Sequence, residues 1–570
     1  MTLQQARRQL SLPGKHAIFK PFCCLLPACV GHERRRLHLP AVRLWTCLPN
    51  DILYSQGWCM SETHPLHWAD AVAQELLQIQ PQHLLSTGIT PSGEYHVGHL
   101  REVLTAEGVC CALRSQGAAC QINYVADTMD PLRRVYTFLD PALYQDHVGK
   151  PLCDIPCPCG AHGSYAEHFL EPFLQAMQQL GIMLDVYLAH DLYRAGRLDT
   201  QILAALQHTA TIKRILHETT GKAVADDWSP YNPLCAACGR LTDTRVTGFD
   251  LQARTVSYDC ACGHGATAPV SQAGKLTWRV DWPARWQALG VTAEPFGKDH
   301  ASRGGSYDTG QRISREVFGS EPPYPIPYEW IALKGQGDMS SSKGNLVSLF
   351  QLVQTIPPEV VRYMIFRVKP MRHIAFDPGL PLLNLVDEYD DVSAPNRDAR
   401  AAELASMAGV APIGIPFKHL VNLVQITDGD IDKLCAILRR HHLPEPAHAL
   451  LQRRIDYARY WLEHFSPPEA RLQLQPTLPA AVAQLTAEQR QALGLLGQRL
   501  QPEMDGDTIH TLVYTLAEEA GLAARAVFEA IYIALLGQSR GPRVGWFLSS
   551  LDLDFVRTRL QDAATWEAAA

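Results

Sequence analysis

Apolar positions along the first third of the chain switch between two periods. Residues 68–79 carry apolar side chains at helical spacing and predict a helix. Residues 82–89 form a short, mostly apolar run that stops at Thr90-Pro91-Ser92-Gly93, which predicts a buried strand followed by a turn. From 100 to about 116, Leu100, Val103, Leu104 and Leu113 return on one face and predict a second helix. Residues 151–277 mix helical patterns at 170–180 and 198–216 with a hairpin-like span at 240–258. In that span Thr242, Thr244, Val246, Phe249, Val256 and Tyr258 favour extended backbone. Residues 346–367 read as helix and 393–416 as a linker. From Lys418 onward helical templates fit 431–441, 450–465, 486–501 and 508–536, broken by prolines at 444–446 and 467–479. The pattern predicts an α/β chain with a parallel sheet interrupted by an insertion, then an all-α C-terminal region. The segments are 1–59, 60–150, 151–277, 278–392 and 393–570. No run of about 18 apolar residues occurs, so no membrane span is expected.

Composition changes this picture mainly at the N-terminus. The 570 residues are 46% hydrophobic and 19% charged, with a formal net charge of -7, which excludes a disordered chain. Residues 1–59 hold eight Lys/Arg against two acids, a formal +6, so the remainder carries -13. They also hold five of the 16 cysteines and show no clear period. This stretch reads as a disordered or mis-annotated extension, with Met60 as the natural start. A targeting peptide is the other reading of so basic a segment. An acidic remainder must meet any polyanion through a local basic patch, and Arg362, Arg367, Lys369, Arg372 and His373 form a candidate for one.

Two cysteine pairs, Cys235/Cys238 and Cys260/Cys262, flank the hairpin and have the spacing of a tetrahedral thiolate site for structural zinc. His264 is an alternative ligand. Cys153, Cys157, Cys159 and His162 form a weaker second set. Other cysteines, Cys110, Cys111 and Cys435 among them, lie singly on apolar stretches. The expectation is a reducing, cytoplasmic setting with a metal site and no disulfide framework.

The first strand, its glycine turn and the following helix make a natural anion site, because free backbone N–H groups and the helix dipole attract phosphate. His96 and His99, three residues apart, share one face of the first helical turn, with Gly98 between them. About 240 residues later, Gly335-Gln336-Gly337-Asp338-Met339-Ser340-Ser341-Ser342-Lys343-Gly344-Asn345 has the small residues, hydroxyls and lysine of a loop that closes over polyphosphate.

His96-Val97-Gly98-His99 and Met339-Ser340-Ser341-Ser342-Lys343 resemble, in this order, the HIGH and KMSKS signatures of the class I aminoacyl-tRNA synthetases. Val97 replaces isoleucine, Asp338 stands where a lysine is usual, Ser341 takes the second lysine position, and Lys343 follows two residues later. Longer strings resemble the class I lysyl-tRNA synthetases. They are Ser86-Thr87-Gly88-Ile89-Thr90-Pro91-Ser92-Gly93, Trp278-Arg279-Val280-Asp281-Trp282-Pro283, Pro295-Phe296-Gly297-Lys298-Asp299-His300 and Arg540-Gly541-Pro542-Arg543-Val544-Gly545-Trp546-Phe547. The resemblance covers about 68–560.

It implies a Rossmann-type catalytic domain, split by an insertion that receives the acceptor end of tRNA, and an all-helical anticodon-binding region. It implies His96, His99 and Lys343 as catalytic residues. ATP, with magnesium, would be bound through Pro91, Ser92, Gly93, Gly297, Asp299, Gly304, Gly305, Met339, Ser340, Ser341 and Ser342. Gly88, Thr90, Trp278, His300 and Tyr328 would line a lysine pocket. The carboxylate for the lysine ammonium is Asp127 or Asp130, with Asp130 preferred. Arg279 and Asp281 are read either as part of this site or as a structural ion pair. Trp546 and Phe547 are read as stacking platforms or as core.

The reaction implied is lysyl-adenylate formation, then transfer to the 2′ oxygen of the terminal ribose of tRNA(Lys), with no covalent enzyme intermediate. Two other readings stay open: a class I synthetase of another specificity, such as glutamate, and a non-catalytic tRNA-binding relative. The oligomeric state is not legible in the sequence.

Overall fold

The computed structural model of the chain describes residues 66–335, 337–339, 346–391, 393–394, 397–408 and 412–566. The expectations for residues 1–59 and Met60 lie outside that range. Helix α1 (Trp68–Ile79) packs against α2 (Leu100–Ser115). Five strands, β1 (Gln82–Ile89), β2 (Ala119–Ala126), β3 (Asp185–Leu188), β4 (Ala293–Gly297) and β5 (Tyr324–Tyr328), form one sheet in the order β5-β4-β1-β2-β3. Every neighbouring pair is parallel. Parallel neighbours need a crossover, and α2 supplies the one from β1 to β2. The order reverses at β1, because β2 and β3 are added on one side and β4 and β5 on the other. The C-terminal ends of β1 and β4 therefore border the crevice in which open parallel sheets bind ligands.

The stripe expected on α2 is a whole surface. Leu100, Val103, Leu104, Ala106, Val109, Cys110, Ala112 and Leu113 are all fully buried, so α2 is a central helix and not a half-exposed one. Cys110 on α2 and Cys120 on β2 are joined by a disulfide. This corrects the expectation that such cysteines stand singly: the helix, tight turn and strand bring the two Cα atoms to 5.5 Å.

Within the insertion, helix α3 (Tyr165–Gln179) precedes helices Asp199–Gln207 and Thr209–Thr220. The expected hairpin is present as antiparallel strands Thr244–Asp250 and Thr255–Cys260, with a third, Gly265–Pro269, alongside. Strand Gly274–Leu276 then pairs with Tyr231–Pro233 and leads into α4 (Trp278–Leu289). Two helical stretches read as continuous are each two helices: Leu349–Thr355 and Pro358–Phe366 part at Pro357, and Gly506–Glu519 and Ala524–Leu536 part around Gly521 at φ +65°. The expected 198–216 helix likewise divides at His208.

One apolar core runs from Trp68 to Trp461, so helices Phe417–Thr427, Ile431–Arg440 and His448–His464 share it with the sheet. A second core, from Val482 to Ala563, holds the last helices together and buries Phe547. Trp546 packs beside His419 and His441. No helix among the described residues is long and apolar enough to cross a membrane.

Two of the five members of the basic cluster expected after residue 360 are taken up by structure, while Lys369, Arg372 and His373 are exposed. Arg362 is buried and donates to Glu107 Oε1 on α2 at 3.1 Å and to the carbonyl oxygens of Leu180 and Leu404. Arg367 pairs with Glu388 at 2.8 Å. Breaking a buried pair by removing one partner leaves an uncompensated charge. Arg362→Met is expected to lower unfolding free energy by about 3–5 kcal/mol. Chemical denaturation should show the loss, and adding Glu107→Leu should recover much of it.

Candidate active site

The turn after β1 fixes two imidazoles. His96 caps the short helical turn Val97–His99, with its Nδ1 accepting from the Gly98 N–H at 3.1 Å. His99 Nδ1 accepts from the His96 N–H at 3.0 Å. The rings lie 3.9 Å apart between centroids. Burial holds His96 down to about 4, and burial together with His96 holds His99 well below the ordinary histidine value. Both rings are therefore neutral near pH 7. Because each Nδ1 is occupied as an acceptor, each ring proton sits on Nε2 and points away from the backbone as a donor. A Cβ at Gly98 would come within 2.8 Å of the His96 ring. The glycine is thus required by the imidazole itself.

The segment after the serine-rich loop meets this turn. Val97 N–H donates to Val347 O, Leu349 N–H donates to Tyr95 O, and His96 pairs with Ser348 as an antiparallel bridge. On the near side, Gly337–Asp338 pairs with Ile331–Leu333. Met339 is buried in the first core, so its side chain anchors the near end of the loop. Ser340, Ser341, Ser342 and Lys343 lie outside the described residues.

Beside the histidines, at the C-terminal ends of β1 and β4, a cavity is lined by Gly88, Glu102, Asp127, Trp278, Trp282, Trp286, Glu294 and His300 among others. Trp278 and Trp282 stack at 5.3 Å with an interplanar angle of 14°, and His300 lies 6.2 Å from Trp278. Glu102 accepts from the Gly88 N–H at 2.8 Å and from the Tyr328 hydroxyl at 2.9 Å. Glu294 accepts from the Trp282 indole at 2.9 Å and from the Trp286 indole. Burial pushes Glu102 up to about 7 and Glu294 up to about 8, against the lowering effect of those donors. Among the described residues neither carboxylate has an ion-pair partner. A side chain at Gly88 would strike the Val125 carbonyl, its Cβ lying 2.8 Å away, so glycine is what lets β1 present its N–H to Glu102.

The aspartates behave in the opposite way. Lys275, from the strand entering α4, binds Asp130 and lies 3.5 Å from both Asp127 and Asp281. Arg285 binds Asp127 and Asp281, and Asp281 also accepts from Tyr193. Burial opposes the charge on Lys275, but the three aspartates outweigh it and raise its pKa. Asp130, preferred from sequence as the substrate's acceptor, instead neutralises Lys275 and accepts from Thr90 Oγ1 at 2.8 Å. It is not in the cavity wall.

Of the expected lysine contacts, Gly88, Trp278 and His300 line the cavity, and Tyr328 reaches it through Glu102. Thr90 is held off by Asp130. Glu102, Glu294 and Lys275 were missed because no local motif marks them. Asp281 and Arg285, four apart on α4, carried a helical-pair signal. The possible Arg279–Asp281 pair does not form: Arg279 donates to the carbonyls of Gly304 and Gly305 and to Thr309.

On the nucleotide side, Pro91 and Gly93 are buried, and Ser92 O accepts from the Tyr165 hydroxyl at 2.7 Å. Gly297 ends β4, and Asp299 stands in the short turn Lys298–Ala301 that follows, open to solvent.

In the insertion, Cys235, Cys238, Cys260 and Cys262 bring their sulfurs within 4.8 Å of one another, with Cys235–Cys262 and Cys238–Cys260 at 3.6 Å. Four soft donors so disposed fit a closed zinc site. His264 is not in the set. A second set also assembles, but with His168 in place of the expected Cys153, whose sulfur faces Asp154 and Arg194.

Comparison with known proteins agrees with this geometry. Residues 66–410 match the model of the tRNA synthetases class I (K), and residues 445–564 match an anticodon binding domain. The chain is 47% identical over 528 residues to a lysine–tRNA ligase of Methanosarcina barkeri, covering 88% of this chain and 98% of that one. It is 45% identical over 500 residues to a lysine–tRNA ligase of Archaeoglobus fulgidus, covering 87% of this chain and all of that one. With its paired histidines, switch-point cavity and helical C-terminal region, the chain belongs to the class I (K) family of tRNA synthetases.

Proposed function

We propose that this chain is a lysine–tRNA ligase: it condenses lysine with magnesium-bound ATP to lysyl-adenylate and passes the lysyl group to the terminal ribose of tRNA(Lys). One observation carries the specificity. Two carboxylates, Glu294 buried and Glu102 half-buried, face a tryptophan-walled cavity without a cation of their own, and burial of an unpaired charge is costly. A substrate with two ammonium groups and a methylene stem relieves both. Glu102, three residues after His99, receives the α-ammonium near the adenylation chemistry. Glu294, deep among Trp282 and Trp286, receives the side-chain ammonium, with indole faces along the stem. A glutamate substrate would instead need an available guanidinium, and Arg285 is already held by Asp127 and Asp281.

His96 and His99 serve ATP as neutral donors. Their Nε2–H groups stabilise charge that builds on the phosphate oxygens as the lysine carboxylate attacks the α-phosphorus, and Lys343 supplies the cation. Fixed donors need no reorganisation during the reaction, and no side chain has to form a covalent bond. The similarity of the curated relatives over almost their whole length supports this reading against a non-catalytic one. Cys235, Cys238, Cys260 and Cys262 hold structural zinc that braces the strand carrying Lys275. A four-thiolate site leaves no open position for chemistry. The helical region after residue 445 meets the anticodon, and the chain works in the cytoplasm.

Three results are expected. His99→Ala should lower kcat of lysine-dependent ATP–pyrophosphate exchange by roughly 10²–10³ with little change in lysine KM. Unchanged exchange would refute the nucleotide assignment. Glu294→Gln should raise lysine KM by roughly 10–100-fold and shrink the preference for lysine over norleucine. If that preference survives intact, Glu294 does not read the side chain.

The third concerns pH. The folded-state values of about 7 and about 8 lie above those of the unfolded chain, so both groups favour folding while protonated. That contribution is lost as pH rises through those values. Lysine binds the ionised forms and restores it. Lysine affinity and the lysine-induced rise in Tm should therefore both grow from about pH 6 to about pH 8; a flat profile would count against these carboxylates.

A further inference from the structure

Beside Glu294, two polar side chains on the same face of the sheet have no part in the chemistry described so far. Leu85 on β1 is paired with Ala293 on β4, and Ser86 with Asn123 on β2. In parallel strands the next residues stay level, so Glu294, Ser86 and Asn123 stand side by side across three strands. Side chains alternate along a strand, so this row shares a face with Gly88, Val125 and Phe296, under the cover of Trp282 and Trp286. Leu85, Ile122 and Tyr124, at the alternate positions, belong to the first core on the other face.

Asn123 is fully buried, and neither its Oδ1 nor its Nδ2 has a hydrogen-bond partner among the described residues. A buried amide with both ends bare is costly, and native folds rarely keep one unless water or a ligand completes it. An aliphatic residue would suit a mid-strand position here without that cost. Ser86 is also buried and stands in the cavity wall, with Asn123 one strand behind it.

An ammonium group explains the row. It has three N–H donors and no acceptor. The Glu294 carboxylate, which already accepts two indole N–H groups, takes one of them. Ser86 lies two residues below Gly88, about 6.6 Å along the strand. That depth suits an extended four-methylene stem whose α-ammonium sits at Glu102, beside the Gly88 N–H. We infer, resting on the lysine reading of the cavity, that Ser86 and Asn123 read the two remaining N–H bonds of the side-chain ammonium: Ser86 Oγ accepts one directly, and Asn123 holds the buried water that accepts the other. Buried waters occupy such places because they complete polar groups that the chain leaves bare. The row then counts N–H bonds as well as charge, and separates a primary ammonium from an alkylated one.

Lysine-dependent ATP–pyrophosphate exchange by the full-length protein tests this. The probes are lysine and Nε,Nε-dimethyllysine, which keeps the stem and the charge but has a single N–H. Ser86→Ala should raise lysine KM roughly tenfold, and Asn123→Val about 3–10-fold, with ATP KM unmoved in both. Each should shrink the preference for lysine over the dimethylated form. Asn123→Val also removes a bare buried amide, so its Tm should equal or exceed that of wild type. The preference decides the outcome whatever the Tm: if neither variant changes it, the inference is overturned, and if only Ser86→Ala changes it, the part given to Asn123 is overturned. A wild type that activates no lysine would remove the lysine reading and this inference together. A wild type that activates lysine, with variants that discriminate as it does, would remove this inference alone.

Discussion

Five charges, four of them buried and Asp130 half-buried, at the C-terminal end of the sheet set the terms for the rest of the site. Asp127 at the end of β2, Asp130 just beyond it, and Asp281 on α4 share Lys275 and Arg285. None of these groups would stay ionised alone at such depth, and together each is compensated. Lys275 comes from the last strand of the insertion and Arg285 from the helix after it, so the network ties the end of a long excursion back to the sheet it left. It also decides which carboxylates remain for a substrate. Having taken both resident cations, the aspartates leave Glu102 and Glu294 as the unmatched pair.

The two halves of the cleft then differ in electrical character. The nucleotide side offers oriented dipoles: two neutral imidazoles whose Nε2–H groups point away from the backbone. The amino-acid side offers negative charge under a tryptophan cover. β1 borders both, through Gly88 on one side and the turn leading to His96 on the other. On the proposed function, a cationic amino acid and a polyanion would thus be drawn to adjacent places by opposite means.

Much of this was legible in the sequence, for reasons that can be named. The strand, turn and helix around His96 are local, so periodicity and glycine placement reported them. The same holds for the hairpin cysteines, whose close pairs are set by spacing. What escaped was long-range. Asp130 looked like a substrate ligand because Lys275, 145 positions away, is invisible until the insertion folds. Glu102 sat unmarked inside a helix whose periodicity spoke only of packing. Helices read as continuous through Pro357 and Gly521 failed because an apolar period can outlast the backbone that carries it. His168 joined the second cysteine set in place of Cys153 through the fold of a loop onto α3, which no pattern of neighbours encodes.

Helix α2 gives this arrangement a mechanical side. One sixteen-residue rod begins next to His99, presents Glu102 to the cavity, and five residues later offers Glu107 to Arg362, which also grips the Leu404 carbonyl. An α-helix is stiff over such a span. Glu102 and Glu107 therefore travel as one body, and a strain applied at Arg362 through the Leu404 carbonyl reaches Glu102 with almost nothing compliant in between.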